Sequence, residues 1–295
     1  MNLKIIFGIV VGIVIIIIST YIFNQPQDST NTFNVTPFLI KTQGEGEPIF
    51  VRGASTIFDV YVYSGEKNIE KSTLDNPIYF EQYLYLNPDN SVLYEQLGWN
   101  SKLLKTVVVV PVFTKTAYGH PGFYDYYTNQ CDNRCINSIS IKPDLPMAYT
   151  SSASAIKVLS ILGYPMITDI EIEKDSNILK NFDKVILLHN EYVTQKEFEA
   201  ITNHPKVLYL YPNSLYAKIE YNHQNNTITL IRGHGYPNSN IKNGFDWKFD
   251  NSQFEYDINC QEWKFYEIEN GMMLNCYPES RIVKDKDLLM AIKEF

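Results

Sequence analysis

Residues 183–216 constrain the fold more than any other part of the chain, because they have the pattern of a strand, a helix and a second strand. Residues 184–188 are a short apolar run, as expected for a strand that is buried on both faces. Thr194 and Glu197 have the spacing of a helix-capping box, and residues 207–211 are a second apolar run followed by a proline. Two strands joined by a helix form a βαβ unit, so this segment predicts a parallel sheet.

Polar residues follow both of these predicted strands. Residues 189–192 come directly after the first strand, and residues 212–216 come after the second. In open parallel sheets, ligands bind beyond the carboxyl ends of the strands, so the two segments are predicted to line a ligand site. The alternative is that they are two ordinary loops without a ligand.

Apolar runs elsewhere in the chain extend this alternation. The predicted order is a strand at 106–112, a helix at 151–162, a strand at 167–172, a short helix at 177–181, a strand at 184–188, a helix at 194–204 and a strand at 207–211. The segment 113–132 shows neither the helical nor the strand periodicity of apolar residues and is predicted to be a long loop. The alternation predicts an α/β protein with a three-layer, doubly wound, mostly parallel sheet.

Regions rich in β-branched and aromatic residues flank the predicted α/β domain, which spans residues 105–236. Residues 38–104 are predicted to form a β-rich extension that packs on this domain. Residues 237–295 are predicted to add a β-hairpin that turns at Glu269-Asn270-Gly271, and a C-terminal helix at 287–293.

The first residues of the chain have the composition of a membrane anchor. Residues 5–23 are almost wholly apolar and uncharged, which is about the length needed to span a bilayer, so residues 1–24 are predicted to be a transmembrane anchor. A cleaved signal peptide is disfavoured, because no small-residue cleavage pattern follows. Residues 25–37 read as a polar linker. Lys4 precedes the span, so the positive-inside rule places the rest of the chain outside the cytoplasm.

Cysteine usage agrees with an exported domain. The chain has 4 cysteines, and an even number on an exported protein favours disulfides. Proximity suggests the pairs Cys131–Cys135 and Cys260–Cys276, although three pairings are possible. A four-cysteine zinc site is the alternative.

Charge and missing motifs exclude several classes of function. The formal charge of −8 argues against a nucleic-acid partner. The chain lacks the glycine-rich dinucleotide fingerprint, the phosphate-binding loop and the His-Glu-x-x-His metalloprotease helix. It also lacks the nucleophile elbow of α/β hydrolases.

The chemistry that remains is a set of oxygen ligands close to strand ends. Tyr118 follows the first predicted strand, Tyr149 precedes the first long helix, and Glu191 follows the strand at 184–188. Phenolate and carboxylate oxygens are hard ligands that suit a hard, highly charged cation. The structural alternative is that the tyrosines pack in the core and the glutamate is a solvated charge.

Two short motifs resemble a known family. Residues 110–120 (VPVFTKTAYGH) and residues 189–192 (HNEY) resemble the carboxy-terminal domain of the large subunit of N,N-dimethylformamidase and its relatives. The resemblance covers roughly residues 105–236 and implies a glutamine-amidotransferase-like fold without the amidotransferase cysteine. Asn190 is a departure, because the family has aspartate at this position.

The resemblance also implies a metal site. Enzymes of this family bind one iron through two tyrosines and one glutamate. By motif, Tyr118 corresponds to one tyrosine and Glu191 to the glutamate. Tyr149 is the candidate for the second tyrosine, with Tyr124 or Tyr126 as alternatives.

Two functions follow as hypotheses. The first is a membrane-anchored, metal-dependent hydrolase of small amides, with Glu191 and His189 as catalytic residues. Residues expected around its pocket or in proton transfer are His120, Asn190, Asn213, Tyr216 and His234. The second is a non-catalytic surface module that binds a glycan, a peptide or an envelope protein through exposed tyrosines, namely Tyr124, Tyr126, Tyr127 and Tyr236.

Overall fold

A computed structural model describes residues 44–65, 70–71, 78–79, 81–99, 105–142 and 147–295, all within one compact unit, Val35–Phe295. The unit is a mixed α/β structure with parallel and antiparallel sheets. The predicted anchor (1–24) and linker (25–37) lie outside the described residues. Among the helices that are described, none is both long and apolar enough to cross a bilayer.

The described strands are short and are labelled here in chain order. They are β1 (Pro48–Phe50), β2 (Phe58–Tyr63), β3 (Glu70–Lys71), β4 (Ile78–Tyr79), β5 (Tyr83–Leu86), β6 (Thr106–Val110), β7 (Ile139–Ser140), β8 (Met166–Thr168), β9 (Lys184–Leu187), β10 (Tyr192–Val193), β11 (Val207–Tyr209), β12 (Ala217–Asn222), β13 (Thr227–Arg232), β14 (Phe265–Ile268) and β15 (Gly271–Leu274).

The described helices are labelled in the same way. They are α1 (Ser91–Gln96), α2 (Val112–Ala117), α3 (Phe123–Tyr127), α4 (Ala153–Ile161), α5 (Asp169–Lys174), α6 (Gln195–Thr202) and α7 (Lys286–Glu294). Short 3-10 helices lie at Pro88–Asn90, Asn133–Cys135, Tyr149–Ser151, Ile178–Asn181 and Ser252–Phe254.

Six of the described strands form the central sheet, in the order β14-β15-β11-β9-β6-β8. All neighbours are parallel except β14, which forms an antiparallel hairpin with β15. Ile186 at the centre pairs with Val108 of β6 on one side and with Leu208 of β11 on the other. These three side chains are at most 1% exposed, so the middle of the sheet lies in the core. The parallel pairing predicted for residues 183–216 is confirmed.

The strand order reverses between β6 and β9. Along the chain, β8 is added on one side of β6, whereas β9, β11 and β15 are added successively on the other side. This is the 2-1-3-4-5 order of doubly wound sheets, in which ligands bind in the crevice where the order reverses. The segments that follow β6 and β9 meet at this crevice.

A second sheet adjoins the same crevice, with the order β10-β12-β13-β7. β10 is parallel to β12, whereas β12 is antiparallel to β13, and β13 is antiparallel to β7. β10 begins at Tyr192, the residue after Glu191, so this sheet holds the chain where it leaves the carboxyl end of β9.

The N-terminal extension forms a third, antiparallel sheet in the order β1-β2-β5. The Ser55 hydroxyl donates a hydrogen bond to the Val283 carbonyl (2.6 Å), and Lys157 on α4 makes an ion pair with Glu81 (3.2 Å). These contacts attach the extension to the C-terminal part of the unit and to α4.

The strand predicted at 167–172 is wrong beyond Thr168, because residues Asp169–Lys174 form helix α5. Thr168 Oγ1 accepts a hydrogen bond from the Glu171 N–H (3.3 Å), and the Glu171 carboxylate accepts one from the Thr168 N–H (2.7 Å). This reciprocal capping box starts the helix. The alternating apolar residues of this segment imitate the period of a strand.

The long loop predicted at 113–132 is also wrong. Helix α2 begins directly after Pro111, which ends β6, and helix α3 follows a few residues later. Each helix has fewer than two full turns, so neither presents enough repeats for helical periodicity to be recognised in the sequence.

The cysteines pair as predicted from their proximity. Cys131 and Cys135 form one disulfide with a Cα–Cα distance of 5.9 Å, and Cys260 and Cys276 form the other, at 5.2 Å. This pairing leaves no thiolate for a four-cysteine zinc site.

Candidate functional site

The backbone of Glu191 is held at the crevice between β6 and β9. Its N–H donates a hydrogen bond to Thr114 Oγ1 of α2 (2.9 Å), and its carbonyl accepts from the N–H groups of Tyr216 (3.0 Å) and Ala217 (2.8 Å). α2 follows β6, Glu191 follows β9, and Tyr216 follows β11. Segments after three parallel strands therefore fix this one residue.

The Glu191 carboxylate is fully buried and carries a charge. Its Oε1 atom accepts a hydrogen bond from Asn213 Nδ2 (2.9 Å) and pairs with His234 Nε2. Burial raises the pKa of Glu191, whereas the charge and hydrogen bond of His234 lower it. The lowering effects are larger together, so the pKa of Glu191 is below its ordinary value. Burial lowers the pKa of His234, but Glu191 raises it above its ordinary value. Each shift favours the charged form of its group, so the two side chains stabilise each other as an ion pair.

His189 is held in one tautomer. The backbone N–H of His189 donates a hydrogen bond to Ser152 Oγ (3.0 Å), and the ring Nδ1 atom lies 2.7 Å from the Thr150 carbonyl oxygen. A carbonyl oxygen only accepts hydrogen bonds, so Nδ1 carries the proton and Nε2 has a free lone pair. Burial lowers the pKa of His189, although Glu191 partly opposes this, and the imidazole is neutral at neutral pH.

Two acceptor atoms face each other across a short gap. His189 Nε2 lies 3.9 Å from Glu191 Oε2, and neither atom has a hydrogen bond of normal geometry to any described residue. Both side chains are at most 1% exposed. A buried acceptor without a partner is costly, so a third group between these two atoms would stabilise them. Water, as a hydrogen-bond donor, or a cation could occupy this position.

Two tyrosines stand beside this gap. The Tyr124 hydroxyl donates to the Tyr118 hydroxyl (2.5 Å), and their rings stack at a centroid distance of 4.0 Å. The Tyr118 hydroxyl faces Glu191 and helps to lower the pKa of that carboxylate. Burial raises the pKa of both tyrosines, and the Glu191 charge raises them further. Both phenols are therefore neutral in the absence of a cation.

Two of the predicted pocket residues lie at the site. Asn213 follows β11 with a left-handed backbone (φ 60°), and its side chain donates to Glu191. The ring of Tyr216 lies 4.7 Å from the ring of His234. The interpretation that residues 212–216 line the carboxyl end of the sheet matches this placement.

Asn190 is next to Glu191 in sequence but points elsewhere. Its Nδ2 atom donates to Glu197 Oε1 (3.3 Å), and both side chains are fully buried. Its own Oδ1 atom and Glu197 Oε2 make no hydrogen bond to a described residue. Burial raises the pKa of Glu197 well above its ordinary value, and the charge of Asp169 raises it further. Asn190 therefore supports the turn from behind and does not line the gap.

His120 and Tyr149 are not brought into the cluster. The His120 side chain is 83% exposed and lies 3.0 Å from Asp125. The Tyr149 ring stacks on Tyr277 at 5.2 Å and lines a separate cavity of about 280 Å³, together with Lys157 of α4. The structure places Tyr124 beside Tyr118, where the sequence analysis preferred Tyr149.

Two further residues belong to the site for reasons that the sequence does not show. His234 was expected only as a proton-transfer group, yet it is the ionic partner of Glu191, 43 residues away. Its flanking residues Gly233 (φ 123°) and Gly235 (φ 77°) mark a tight turn, which is the one local signal for it. Glu255 stands at the entrance, and no feature of its local sequence distinguishes it from a surface carboxylate.

An open cavity of about 730 Å³ lies next to the site. The cavity is lined on one side by Tyr124 and Tyr127 of α3 and on the other by His234, Glu255 and Tyr256. Tyr124 and His234 also contact the buried cluster, so a small molecule in this cavity would approach Glu191 along these two side chains.

No protein-family model matches the chain, and no curated protein is similar to it. Within the part of the chain that the structure describes, no group of three or more His, Cys, Asp or Glu side chains is arranged to hold a metal ion. A site with tyrosine ligands is a different donor set. The function is therefore inferred from the geometry and from the resemblance of the short motifs.

Proposed function

We propose that this chain is a hydrolase that cleaves the C–N bond of small amides at the crevice containing Glu191 and His189. The observation that carries the proposal is the 3.9 Å gap between two buried acceptors, His189 Nε2 and Glu191 Oε2. A water molecule in this gap would donate one hydrogen bond to each acceptor. An oriented water next to a neutral imidazole is the arrangement required for general-base hydrolysis.

The chain's own residues account for the proton transfers. His189 Nε2 would take a proton from the attacking water while the water oxygen bonds to the amide carbonyl carbon. The C–N bond then breaks, and His189 returns the proton to the leaving nitrogen, which gives a carboxylic acid and an amine. Asn213 and His234 hold the Glu191 carboxylate in place during these steps.

The donor set also fits iron or another hard cation. Tyr118, Tyr124 and Glu191 would hold it, because phenol and carboxylate oxygens are the ligands that hard cations prefer. The two phenol oxygens lie 2.5 Å apart beside the carboxylate, which favours Tyr124 over Tyr149 as the second tyrosine ligand. When bound, such a cation would polarise the amide carbonyl and lower the pKa of water.

The fold supports the same proposal. The strand order reverses at β6 and β9, and right-handed crossovers would then put helices on both faces of the sheet, as in a three-layer, doubly wound domain. This strand order is consistent with a glutamine-amidotransferase-like fold. All four cysteines are in disulfides, so none of them is available as the catalytic cysteine of that fold. Function cannot be taken from the fold, so the site geometry carries the argument.

Metal analysis and amine release test the proposed site. We expect the full chain from iron-replete cells to contain stoichiometric metal and to release amine from one or more members of a panel: formamide, N-methylformamide, N,N-dimethylformamide and acetamide. Glu191→Gln should lose the metal and at least about 100-fold of the rate. His189→Gln should lose the rate but keep the metal. Glu199→Gln, an exposed change on α6, is the control.

The proposal fails if the wild type hydrolyses neither an amide in the panel nor a small amide that carries a positively charged amine. It also fails if Glu191→Gln retains both the metal and the rate. A non-catalytic binding module is the second candidate, favoured by the tyrosine-lined cavity. Ligand binding in that cavity by a metal-free, inactive wild type would support it.

We also propose that the domain is held outside the cytoplasm by the apolar segment 5–23. The two disulfides support this location, because disulfides persist in oxidising compartments. Alkylation of intact cells followed by mass spectrometry tests it. Recovery of the four cysteines as free thiols would contradict an extracytoplasmic domain.

A further inference from the structure

The 730 Å³ cavity beside His234 has an aromatic wall and a single carboxyl group without a partner. Tyr124, Tyr126 and Tyr127 come from α3, and the ring centroids of Tyr126 and Tyr127 are 5.8 Å apart. Tyr256 closes the other side and is 81% exposed, which is unusual for a side chain of this size. Several tyrosine side chains thus border one cavity.

Glu255 is the acidic group of this cavity. Its half-buried carboxyl group lines the space but makes no hydrogen bond or ion pair to a described residue. Asp132 also lines the cavity, but its carboxylate is already paired with Arg134 (2.8 Å). The positive charge of His234 is likewise committed to Glu191. Glu255 is therefore the charge that remains available to a ligand.

These features select one class of ligand. Aromatic faces attract an organic cation through their quadrupoles, and a nearby carboxylate adds a counter-charge. No lysine or arginine is among the described residues that line the cavity, so an anionic ligand would find no partner there. A neutral sugar would leave the Glu255 charge without a matching ion.

We propose that this cavity binds the ammonium group of the substrate, with Glu255 as its counter-charge and Tyr127 and Tyr256 as its aromatic wall. The inference rests on the proposed function and deepens it. The substrate would be an amide that carries a positively charged amine at one end. The amine would lie in the cavity while the amide reaches past His234 to the gap at Glu191.

Binding of choline and of its uncharged isostere, 3,3-dimethylbutan-1-ol, tests this inference without requiring catalysis. Calorimetry with the full chain at pH 8 is suitable, because burial and the Glu191 charge raise the pKa of Glu255 to about 7. The titratable groups that interact electrostatically with Glu255 are Glu191, His234, Tyr118, Tyr124, Tyr216, Tyr256 and Tyr277, and Asp132 lines the same cavity.

We expect the wild type to bind choline at least about tenfold more tightly than the isostere, a factor that corresponds to about 1.4 kcal/mol. Glu255→Gln should abolish this preference while binding of the isostere is unchanged. Tyr256→Ala should weaken both ligands. Glu267→Gln, an exposed change on β14, is the matched control and should behave as the wild type. Near-ultraviolet circular dichroism verifies that each variant is folded.

Equal affinity for choline and the isostere in the wild type would overturn the inference, as would a preference that survives in Glu255→Gln. The outcome is separable from that of the proposed function. Choline selectivity without amide hydrolysis would leave the binding site standing and remove the enzyme. Hydrolysis of neutral amides with no preference for an ammonium-bearing amide would keep the enzyme and remove the cation site.

Discussion

At the residue scale, a proton on the Glu197 carboxyl group accounts for two buried atoms, on Asn190 and Glu197, that lack a hydrogen-bond partner. Asn190 Nδ2 donates to Glu197 Oε1, while Asn190 Oδ1 and Glu197 Oε2 have no partner among the described residues. A protonated Glu197 would donate from Oε2 to Oδ1 and close a cyclic pair with the amide. Burial raises the pKa of Glu197 well above 4.5, which keeps the proton in place.

Glu197→Gln should therefore be tolerated, because the Gln amide can form the same pair of hydrogen bonds. The folded wild type binds its proton more tightly than the unfolded chain, so this contribution is complete below pH 4.5 and is lost as the pH rises towards the raised pKa. Denaturant unfolding should show Glu197→Gln gaining stability relative to the wild type between pH 5 and pH 8. A difference that does not change with pH would show that Glu197 is ionised.

The alanine change separates the shape of this side chain from its hydrogen bonds. Glu197→Ala should cost about 1–3 kcal/mol of unfolding free energy at pH 6, because it leaves the Asn190 amide buried without partners. Glu199→Gln on the exposed face of the same helix serves as the control.

His234 is the second residue with a measurable effect on stability. His234→Ala would leave the Glu191 carboxylate buried without its ionic partner, a change that costs roughly 3–5 kcal/mol in buried pairs. Because the His234 side chain is 21% exposed, we expect the lower end of this range in denaturant unfolding at pH 6. The loss should shrink as the pH rises above the raised pKa of His234, where the wild type also loses the charge.

His223→Ala is the comparison for this experiment. His223 is 46% exposed and lies 3.6 Å from Glu173, so its removal should change the unfolding free energy by less than about 1 kcal/mol. Equal effects of the two alanine variants would contradict a buried ion pair at Glu191.

At the element scale, the pairing of β11 with β15 depends on one glycine. Gly271 pairs with Val207, and a Cβ atom on Gly271 would lie 1.8 Å from the Val207 carbonyl oxygen. The atoms it would meet belong to the backbone of the neighbouring strand, so no side-chain rotation can relieve the overlap. The hairpin of β14 and β15 can join the sheet only because position 271 has no side chain.

Gly271→Ala should therefore lower the unfolding free energy by about 3 kcal/mol or more, the upper range for overpacking. Gly163→Ala is a matched control, since a Cβ there would meet nothing within 4 Å. Its left-handed backbone (φ 87°) should cost about 1–2 kcal/mol. Thermal and denaturant unfolding both measure the difference, and a Gly271 variant no worse than the Gly163 variant would contradict it.

At the scale of the whole molecule, the two disulfides should differ in their contribution to stability. Cys260 and Cys276 close a segment with a sequence separation of 16, whereas Cys131 and Cys135 are separated by only 4. Loop-closure entropy then predicts about 3 kcal/mol for the first bond and about 2 kcal/mol for the second. Paired Cys→Ala variants measured by denaturant unfolding check this order, and a larger loss at the shorter loop would contradict it.

The parts of the fold that were predictable are those with several turns or residues of consistent pattern. Strands β9 and β11, and helix α6 with Thr194 as its cap, lie where their apolar runs and capping residues indicate. Helix α5 was missed because a chain of six residues with alternating polarity fits either period, and the reciprocal contact between Thr168 and Glu171 decides it.

The candidate site divides in a similar way. The sequence alone places Tyr118, His189 and Glu191 after the strands whose carboxyl ends meet, because the apolar runs identify those strands and parallel pairing brings their ends together. Which tyrosine stands beside Tyr118, and which groups pair with Glu191, depend on tertiary contacts. Tyr124 reaches Tyr118 across the short connection between helices α2 and α3, and His234 reaches Glu191 through the turn after β13.

The sequence by itself determined the parallel sheet and the edge at which polar groups collect, since both follow from local pattern. Short separation suggested one pairing of the cysteines, and the structure selected it from the three possible pairings. Only the tertiary structure decided the charge of Glu191, the bare nitrogen of His189 and the free carboxyl group of Glu255. Those properties are set by burial and by partners that are distant along the chain, and no local stretch of residues specifies either.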